Sequence, residues 1–327
     1  MRAPAFWFNP PEHPGLAARL LTPLGWAYAA ATARRIVGQG YRACVPVICI
    51  GNLNVGGTGK TPTTIALIER LTARGSRVAV VSQGYGGSLA GPLQVVESRH
   101  KATEVGDEPL LLSAFTATFI GRDRAAAVRL AEASAAEVIL LDDGFQNSSV
   151  TKDLSLIVVD ASQGFGNGLC LPAGPLREPV AAGLPRADFV LAIGNAAAQS
   201  AFHSAWPLPK PVIAAELMPL PMGMDWHGAR VIAFAGIGNP QKFFTTLRGA
   251  GAEILRAVAL DDHQPLGEAL IKRLQLEALA KGAQLVTTEK DAVRLPQRFR
   301  TEVLTMVVRL RLADWTTLDA AFAKLGL

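Results

Sequence analysis

Between an apolar run at 45–50 and a helical pattern opening near Thr61 stands Asn54-Val55-Gly56-Gly57-Thr58-Gly59-Lys60-Thr61. Strand, glycine-rich bend and helix in that order make a phosphate-binding loop. Three glycines let the backbone curl so that successive amide N–H groups aim inward at phosphate oxygens. Lys60 then reaches the β- and γ-phosphates, and the Thr61 hydroxyl can ligate Mg²⁺. The strict pattern has glycine where Asn54 stands, and asparagine is the next most tolerant residue for positive φ. A loop of this kind commits the chain to an α/β fold whose ligands gather at the carboxyl ends of parallel strands.

The rest of the chain supplies the rhythm such a sheet needs. From Tyr41 short apolar runs alternate with helical ones, which predicts strands at 45–50, 77–81, 138–141, 156–159 and 189–193 and helices at 61–73 and 124–134. Residues 37–210 read as a P-loop NTPase-type parallel-sheet domain. A proline-rich segment at 206–221 reads as a linker, leading to a second, smaller α/β domain over 211–327. There a strand is expected at 231–235, with Asn239 a helix cap and Pro240 at the first helical position. A strand near 253–257, a helix at 265–280, strands at 284–287 and 303–308 and a closing helix at 313–325 follow, the last expected to pack back on the larger domain.

Residues 1–36 differ from everything after them. Phe6, Trp7 and Phe8 precede prolines 10, 11 and 14, and then a mostly apolar stretch runs from Leu16 through Leu20, Leu24, Trp26 and Tyr28 to Arg34-Arg35. Pro23 is expected to kink or divide it. Aromatics and leucines with arginines near the ends suit a helix lying at a bilayer interface, the favoured reading, with an amphipathic helix packed on its own domain as the alternative. No apolar run reaches the length of a membrane span, and no secretion signal is read.

Half of the 327 residues are hydrophobic and only 18% are charged, which excludes a disordered chain. A net charge of +5 implies an anionic partner. No basic run interleaved with aromatics is present, so a phosphorylated substrate or an acidic membrane surface is expected, and nucleic acid is not. Cys44, Cys49 and Cys170 form neither a disulfide framework nor a metal-ligand spacing, as in a reducing compartment.

Three acidic clusters could do chemistry beside the loop. The strand at 138–141 runs into Asp142 and Asp143, either of which can hold Mg²⁺. Gly106-Asp107-Glu108-Pro109 adds two carboxylates in an expected connection, and Asp261-Asp262-His263 lies in the smaller unit. Several acids near one Mg·nucleotide can divide metal binding from proton abstraction, and a His beside aspartates can be held in one tautomer to assist a base. Thr61, Glu108, Asp142 and Asp143 are the candidate metal ligands, Asp107, His263 and Lys60 the candidate catalytic groups, and Arg124 and Arg177 weaker candidates for phosphate contacts. A kinase and a nucleotide-dependent switch ATPase both remain open on these grounds, although the acids at 107–108 and 261–263 have no obvious task in a switch.

Set side by side, these pieces resemble the tetraacyldisaccharide 4'-kinases of lipid A assembly over nearly the full length. The resemblance is carried by GNLNVGGTGKTP at 51–62, SQGYGG at 82–87, VGDEP at 105–109, LDDGFQ at 141–146, LPAGPLREP at 171–179, GIGNP at 236–240, DDH at 261–263 and TTEKDAVRL at 287–295. It implies transfer of the ATP γ-phosphate to the 4'-hydroxyl of a tetraacylated glucosamine disaccharide 1-phosphate to give lipid IVA, with Mg²⁺. It implies Asp107 as the base with His263 beside it, closure of the smaller domain over ATP, and an N-terminal helix on the cytoplasmic face of the inner membrane. A monomer is the expected state. Gln83, Asn147 and Gln264 depart from the family pattern, which usually has Arg, His and His there. None of these departures touches Lys60, Asp107 or Asp142.

Overall fold

The computed structural model describes residues 3–327. Its strands are β1 Val47–Gly51, β2 Val78–Ser82, β3 Leu93–Val95, β4 Ala117–Ile120, β5 Val138–Asp142, β6 Leu154–Asp160, β7 Phe189–Ile193, β8 Val212–Pro219, β9 Arg230–Ala235, β10 Glu253–Ala259, β11 Gln284–Thr288, β12 Leu304–Met306 and β13 Val308–Leu312. Nine of these form one sheet in the order β13-β8-β7-β6-β1-β5-β2-β4-β3, and β10-β9-β11-β12 form a second. The inner strands of the large sheet are parallel, while β13 and β3 close its two edges antiparallel. The smaller sheet is parallel throughout.

Helices cover both faces of the large sheet, so β1, β2, β5 and β6 are buried at every position and are mostly apolar, with polar residues chiefly at their ends. On one face the helix Lys60–Ala73 lays Ile65, Leu67, Ile68 and Leu71 against Ile48, Val80 and Leu156. On the other, the helix Arg124–Ala133 packs Ala127, Val128 and Ala131 with Phe119 and Phe145. After β1 the chain winds outward through β2 and β4 and returns to β5 on one flank of β1; it then crosses to β6, β7 and β8 on the other. That reversal opens a crevice at the carboxyl end of β1, where the phosphate loop emerges.

Two expectations for the C-terminal third are corrected. The segment at 206–221 is no linker throughout, because 212–219 form β8, paired with β7 and β13 in the large sheet. Its prolines sit before the strand or at its end, where no ladder N–H is needed, and the alternating burial of Ile213 and Ala215 was hidden among them. The run at 303–308 is two strands, β12 in the small sheet and β13 in the large one. The chain therefore leaves the large sheet after β8 and rejoins it at β13. The helix Thr316–Lys324 then buries Leu318 and Phe322 against the helix Lys60–Ala73, with Arg70 paired to Asp319.

The N-terminal helix runs unbroken over Leu16–Ile36 with Pro23 inside it, so the chain is not divided there. Small residues set its docking: Ala18, Gly25 and Thr32 are buried, and a Cβ at Gly25 would come within 2.9 Å of the Cys170 carbonyl. Leu16, Leu20, Leu24 and Trp26 on its outer side are exposed. One face is thus packed on the fold and the other is an apolar stripe in solvent. Among the described residues no helix is long and apolar enough to cross a membrane.

Candidate active site

Gly59 adopts φ 100° immediately before the helix Lys60–Ala73, and a Cβ there would stand 2.5 Å from Ile193 Cδ1. Only glycine turns the chain that tightly against β7. Gly56 also has positive φ, and a Cβ at Gly56 or Gly57 would meet nothing within 4 Å. The loop's shoulders are tied down. Asn52 Nδ2 donates to Thr58 Oγ1 (3.1 Å), Asn54 Nδ2 to the Gly164 carbonyl (3.0 Å), and the Val55 amide to the Pro175 carbonyl (2.8 Å). Asn54 is not among the positive-φ residues. Its part is that side-chain tether, which glycine could not make, and not the conformational tolerance expected of it.

Lys60, Asp142 and Asp143 converge at the carboxyl end of β5. Lys60 Nζ lies 3.7 Å from Asp143 Oδ1, and Arg177 forks onto both oxygens of Asp143 at 3.0 and 3.2 Å. Burial alone would raise the Asp143 pKa, but Lys60 and Arg177 outweigh it and hold the carboxyl below its usual range. Asp142 is the opposite case. Its burial, with Glu108 and Asp143 nearby, pushes its pKa up to about 7. Ser82 Oγ donates to one oxygen at 3.2 Å, and the other oxygen is buried without a partner. A buried carboxyl oxygen without a partner, in reach of the Lys60 and Arg124 charges, fits Mg²⁺ with its hard oxygen preference.

The smaller sheet meets this site from the other side. A Cβ at Gly238, in the turn after β9, would stand 3.2 Å from the Gly57 amide nitrogen. Lys242, one turn into the helix Pro240–Gly249, pairs at 2.6 Å with the buried Asp160 at the end of β6. Asp107 is not in a solvated connection. It is buried at the start of the helix Asp107–Leu112, and its Oδ2 lies 3.0 Å from His263 Nδ1. Lys290 Nζ bonds Glu108 at 3.1 Å and stands 4.0 Å from both Asp107 and Asp262, while Arg294 Nε is 3.7 Å from Asp107. Burial disfavours the Asp107 anion, yet His263, Lys290 and Arg294 together hold its pKa down. His263 is raised in turn, chiefly by its bond to Asp107. Each partner therefore favours the charged form of the other.

That pairing predicts a pH dependence with a definite sign. His263 is raised above its ordinary 6.5, so its contribution to stability is complete below pH 6.5 and is lost as pH rises through the folded value. Thermal melts of the wild type should show falling stability across that window. The profile of His263→Gln should be flatter there, and matching slopes would exclude the ion pair.

Two candidate residues have protein partners of their own. Arg124 is buried and donates to the main-chain carbonyls of Val81, Asp142 and Asp143, so it braces the ends of β2 and β5. Glu108 is paired with Lys290. The sequence reading missed Lys290, Arg294 and Ser82 as site residues, although all three fall inside runs that carry the resemblance. Of the departures, Asn147 accepts from Ser149 to close a turn, Gln264 Oε1 accepts from the Asp261 amide, and Gln83 is exposed.

The model of the tetraacyldisaccharide-1-phosphate 4'-kinase family matches residues 17–326. The chain belongs to that family. It is 58% identical to the tetraacyldisaccharide 4'-kinase of Dinoroseobacter shibae over 99% of this chain and 98% of that one. It is 55% identical to the enzyme of the same name from Jannaschia sp., over 99% of both. A crystal structure of LpxK from Aquifex aeolicus, described as an "apo" form in complex with ATP, shares the fold with a TM-score of 0.75. That match has 24% identity and covers 95% of this chain and 99% of the other. A member of this family is a kinase, and the switch ATPase is set aside.

Proposed function

We propose that the chain transfers the γ-phosphate of ATP to the 4'-hydroxyl of a tetraacylated glucosamine disaccharide 1-phosphate, giving lipid IVA, with Asp107 accepting the hydroxyl proton. The observation that carries this reading is the 3.0 Å contact between Asp107 and His263, which joins the two sheets at the mouth of the phosphate loop. The ATP tail lies along the amides of Gly56 to Lys60, and Lys60 stabilises the charge on the transferring group. Thr61 and Asp142 would hold Mg²⁺, which when bound draws off charge from the β- and γ-phosphate oxygens. Asp143, fixed by Arg177, keeps Lys60 aligned.

Asp107 is a weak base because its neighbours are cationic. Phosphoryl transfer tolerates this, since bond-making to the acceptor lags bond-breaking and its proton is released late. Position then matters more than basicity, and His263 fixes the carboxylate. Both sheets that build the site belong to one chain, which supports a monomer. The test is incubation with labelled ATP and the disaccharide 1-phosphate lipid, with and without Mg²⁺. A bis-phosphorylated lipid formed only with Mg²⁺ is expected, and ATP hydrolysis with no lipid product would refute the assignment.

For location, we propose the cytoplasmic face of the inner membrane, with Leu16, Leu20, Leu24 and Trp26 in the bilayer interface and Arg19, Arg34 and Arg35 facing headgroups. Each leucine removed from water contributes roughly 1.5–3 kcal/mol. Leu20→Glu with Leu24→Glu should therefore cut sedimentation with anionic vesicles by more than about tenfold. Activity on detergent-dispersed substrate should persist, and unchanged sedimentation would remove the stripe from the account.

A further inference from the structure

Among the cations gathered at the crevice, Lys290 keeps donors that the protein does not use. Arg124 and Arg294 donate to main-chain carbonyls, Arg177 forks onto Asp143, and Lys242 closes on Asp160. Lys290 stands in the short helix Glu289–Ala292, directly after β11, and its side chain is only 19% exposed. Among the described residues its one hydrogen bond runs to Glu108 at 3.1 Å, while Asp107 and Asp262 lie at 4.0 Å, too far to accept. An ammonium has three donors, so two remain for a ligand. The short helix is also fixed without Lys290. Thr288 caps it by accepting from the Asp291 amide at 3.2 Å, both Asp291 oxygens accept from the Gly236 amide, and Glu289 accepts from Arg309 of β13 at 2.8 Å. The ammonium is therefore aimed by its own backbone and not by the acids alone.

In the proposed reaction the acceptor oxygen and the leaving oxygen stand on opposite sides of the phosphorus, with Asp107 on the acceptor side and Lys60 reaching in from the loop. A hydroxyl bonded to Asp107 Oδ2 is within reach of an ammonium 4.0 Å from that same oxygen, and so is the phosphorus it attacks. In flight the phosphoryl group spreads its charge over three equatorial oxygens, of which Lys60 covers only the loop side. We propose that Lys290 is a second catalytic lysine, whose ammonium meets the transferring phosphoryl group from the acceptor side. Lys290 and His263 both lie on connections of the smaller sheet, so the cation and the partner of the base arrive together. The inference rests on the proposed reaction and adds to it the charge that faces the phosphoryl oxygens remote from the loop.

The experiment is steady-state kinetics of the full chain with ATP and the disaccharide 1-phosphate lipid in detergent, joined to nucleotide titration. The variants are Lys290→Met, Lys290→Gln, Lys290→Arg and Glu289→Gln. Loss of the charge in the Met and Gln variants should lower kcat by about 10²–10³-fold, the scale of one lost donor to a developing oxyanion, while ATP affinity and the acceptor KM move less than about threefold. Lys290→Arg should recover at least about tenfold of that loss, since a cation is restored. Glu289→Gln removes a neighbouring ion pair of the same helix and should stay within about threefold of the wild type. In the Asp107→Asn background Lys290→Met should still cost about tenfold or more, because a residue acting only through Asp107 would add nothing there. A kcat within about threefold of the wild type for either neutral variant overturns the inference and leaves the kinase reading intact, provided the wild type makes product. So does a Glu289→Gln variant as impaired as Lys290→Met, a loss confined to either KM, or no further loss in the double variant. A wild type that makes no phosphorylated lipid overturns both readings together.

Discussion

Asp107→Asn is expected to lower kcat by about 10²–10⁴-fold, the range that a positioned general base supplies, with ATP binding unchanged. The amide keeps the shape of the carboxylate, so it still fills its buried place beside His263, Lys290 and Arg294. What it removes is the oxygen pair that can take a proton. Because this function is used only as the transferred group departs, kcat and kcat/KM for the acceptor should fall together while KM moves little. Single-turnover assays with labelled ATP, paired with direct nucleotide titration, read both quantities. Near-normal turnover with intact ATP binding would strike Asp107 from the mechanism. Asp107→Ala should lose as much activity and more stability, since it leaves three cationic side chains facing a void.

Lys60→Met should cut kcat/KM for ATP by about 10²–10³-fold, the scale seen when one donor to a developing oxyanion is removed. The lysine side chain is nearly enclosed and stands 3.7 Å from Asp143, which retains Arg177 as a partner when the ammonium is lost. Methionine fills the same space, so the fold should persist. The separate signature is thermal: ATP should raise the wild-type melting temperature by mass action and fail to do so in the variant. A full ATP-induced shift in Lys60→Met would move the nucleotide out of the loop.

The parts of this fold that could be read from the sequence are those where burial leaves only one kind of residue admissible. β1, β2, β5 and β6 are covered on both faces, so 47–50 and 156–159 stand out as unbroken apolar runs. β8 was missed because an outer strand alternates, and prolines at 207, 209 and 211 made its approach look like loop. β3 and β4 span only 93–95 and 117–120, too short to show a period. Within the site, Lys60, Asp107 and His263 were legible because their motifs are chemically specific. Lys290 was not assigned, since one lysine in TTEKDAVRL resembles any solvated cation until three carboxylates from two loops surround it. Arg124 shows the opposite limit. Nothing in its neighbours Asp123 and Ala125 shows that the guanidinium turns inward to bind the ends of two strands.

The departure of the chain on β8 and its return on the adjacent, antiparallel β13 has a mechanical consequence. The lobe bearing His263 and Lys290 hangs from two cords anchored side by side, as a door hangs from paired pins. We propose that the lobe opens by swinging about that pair, with the distance from His263 to Asp107 as the gauge of opening. A linker engineered between residues 219 and 230 would lengthen one cord only and skew the swing. Matched insertions after 219 and before 308 would loosen it symmetrically.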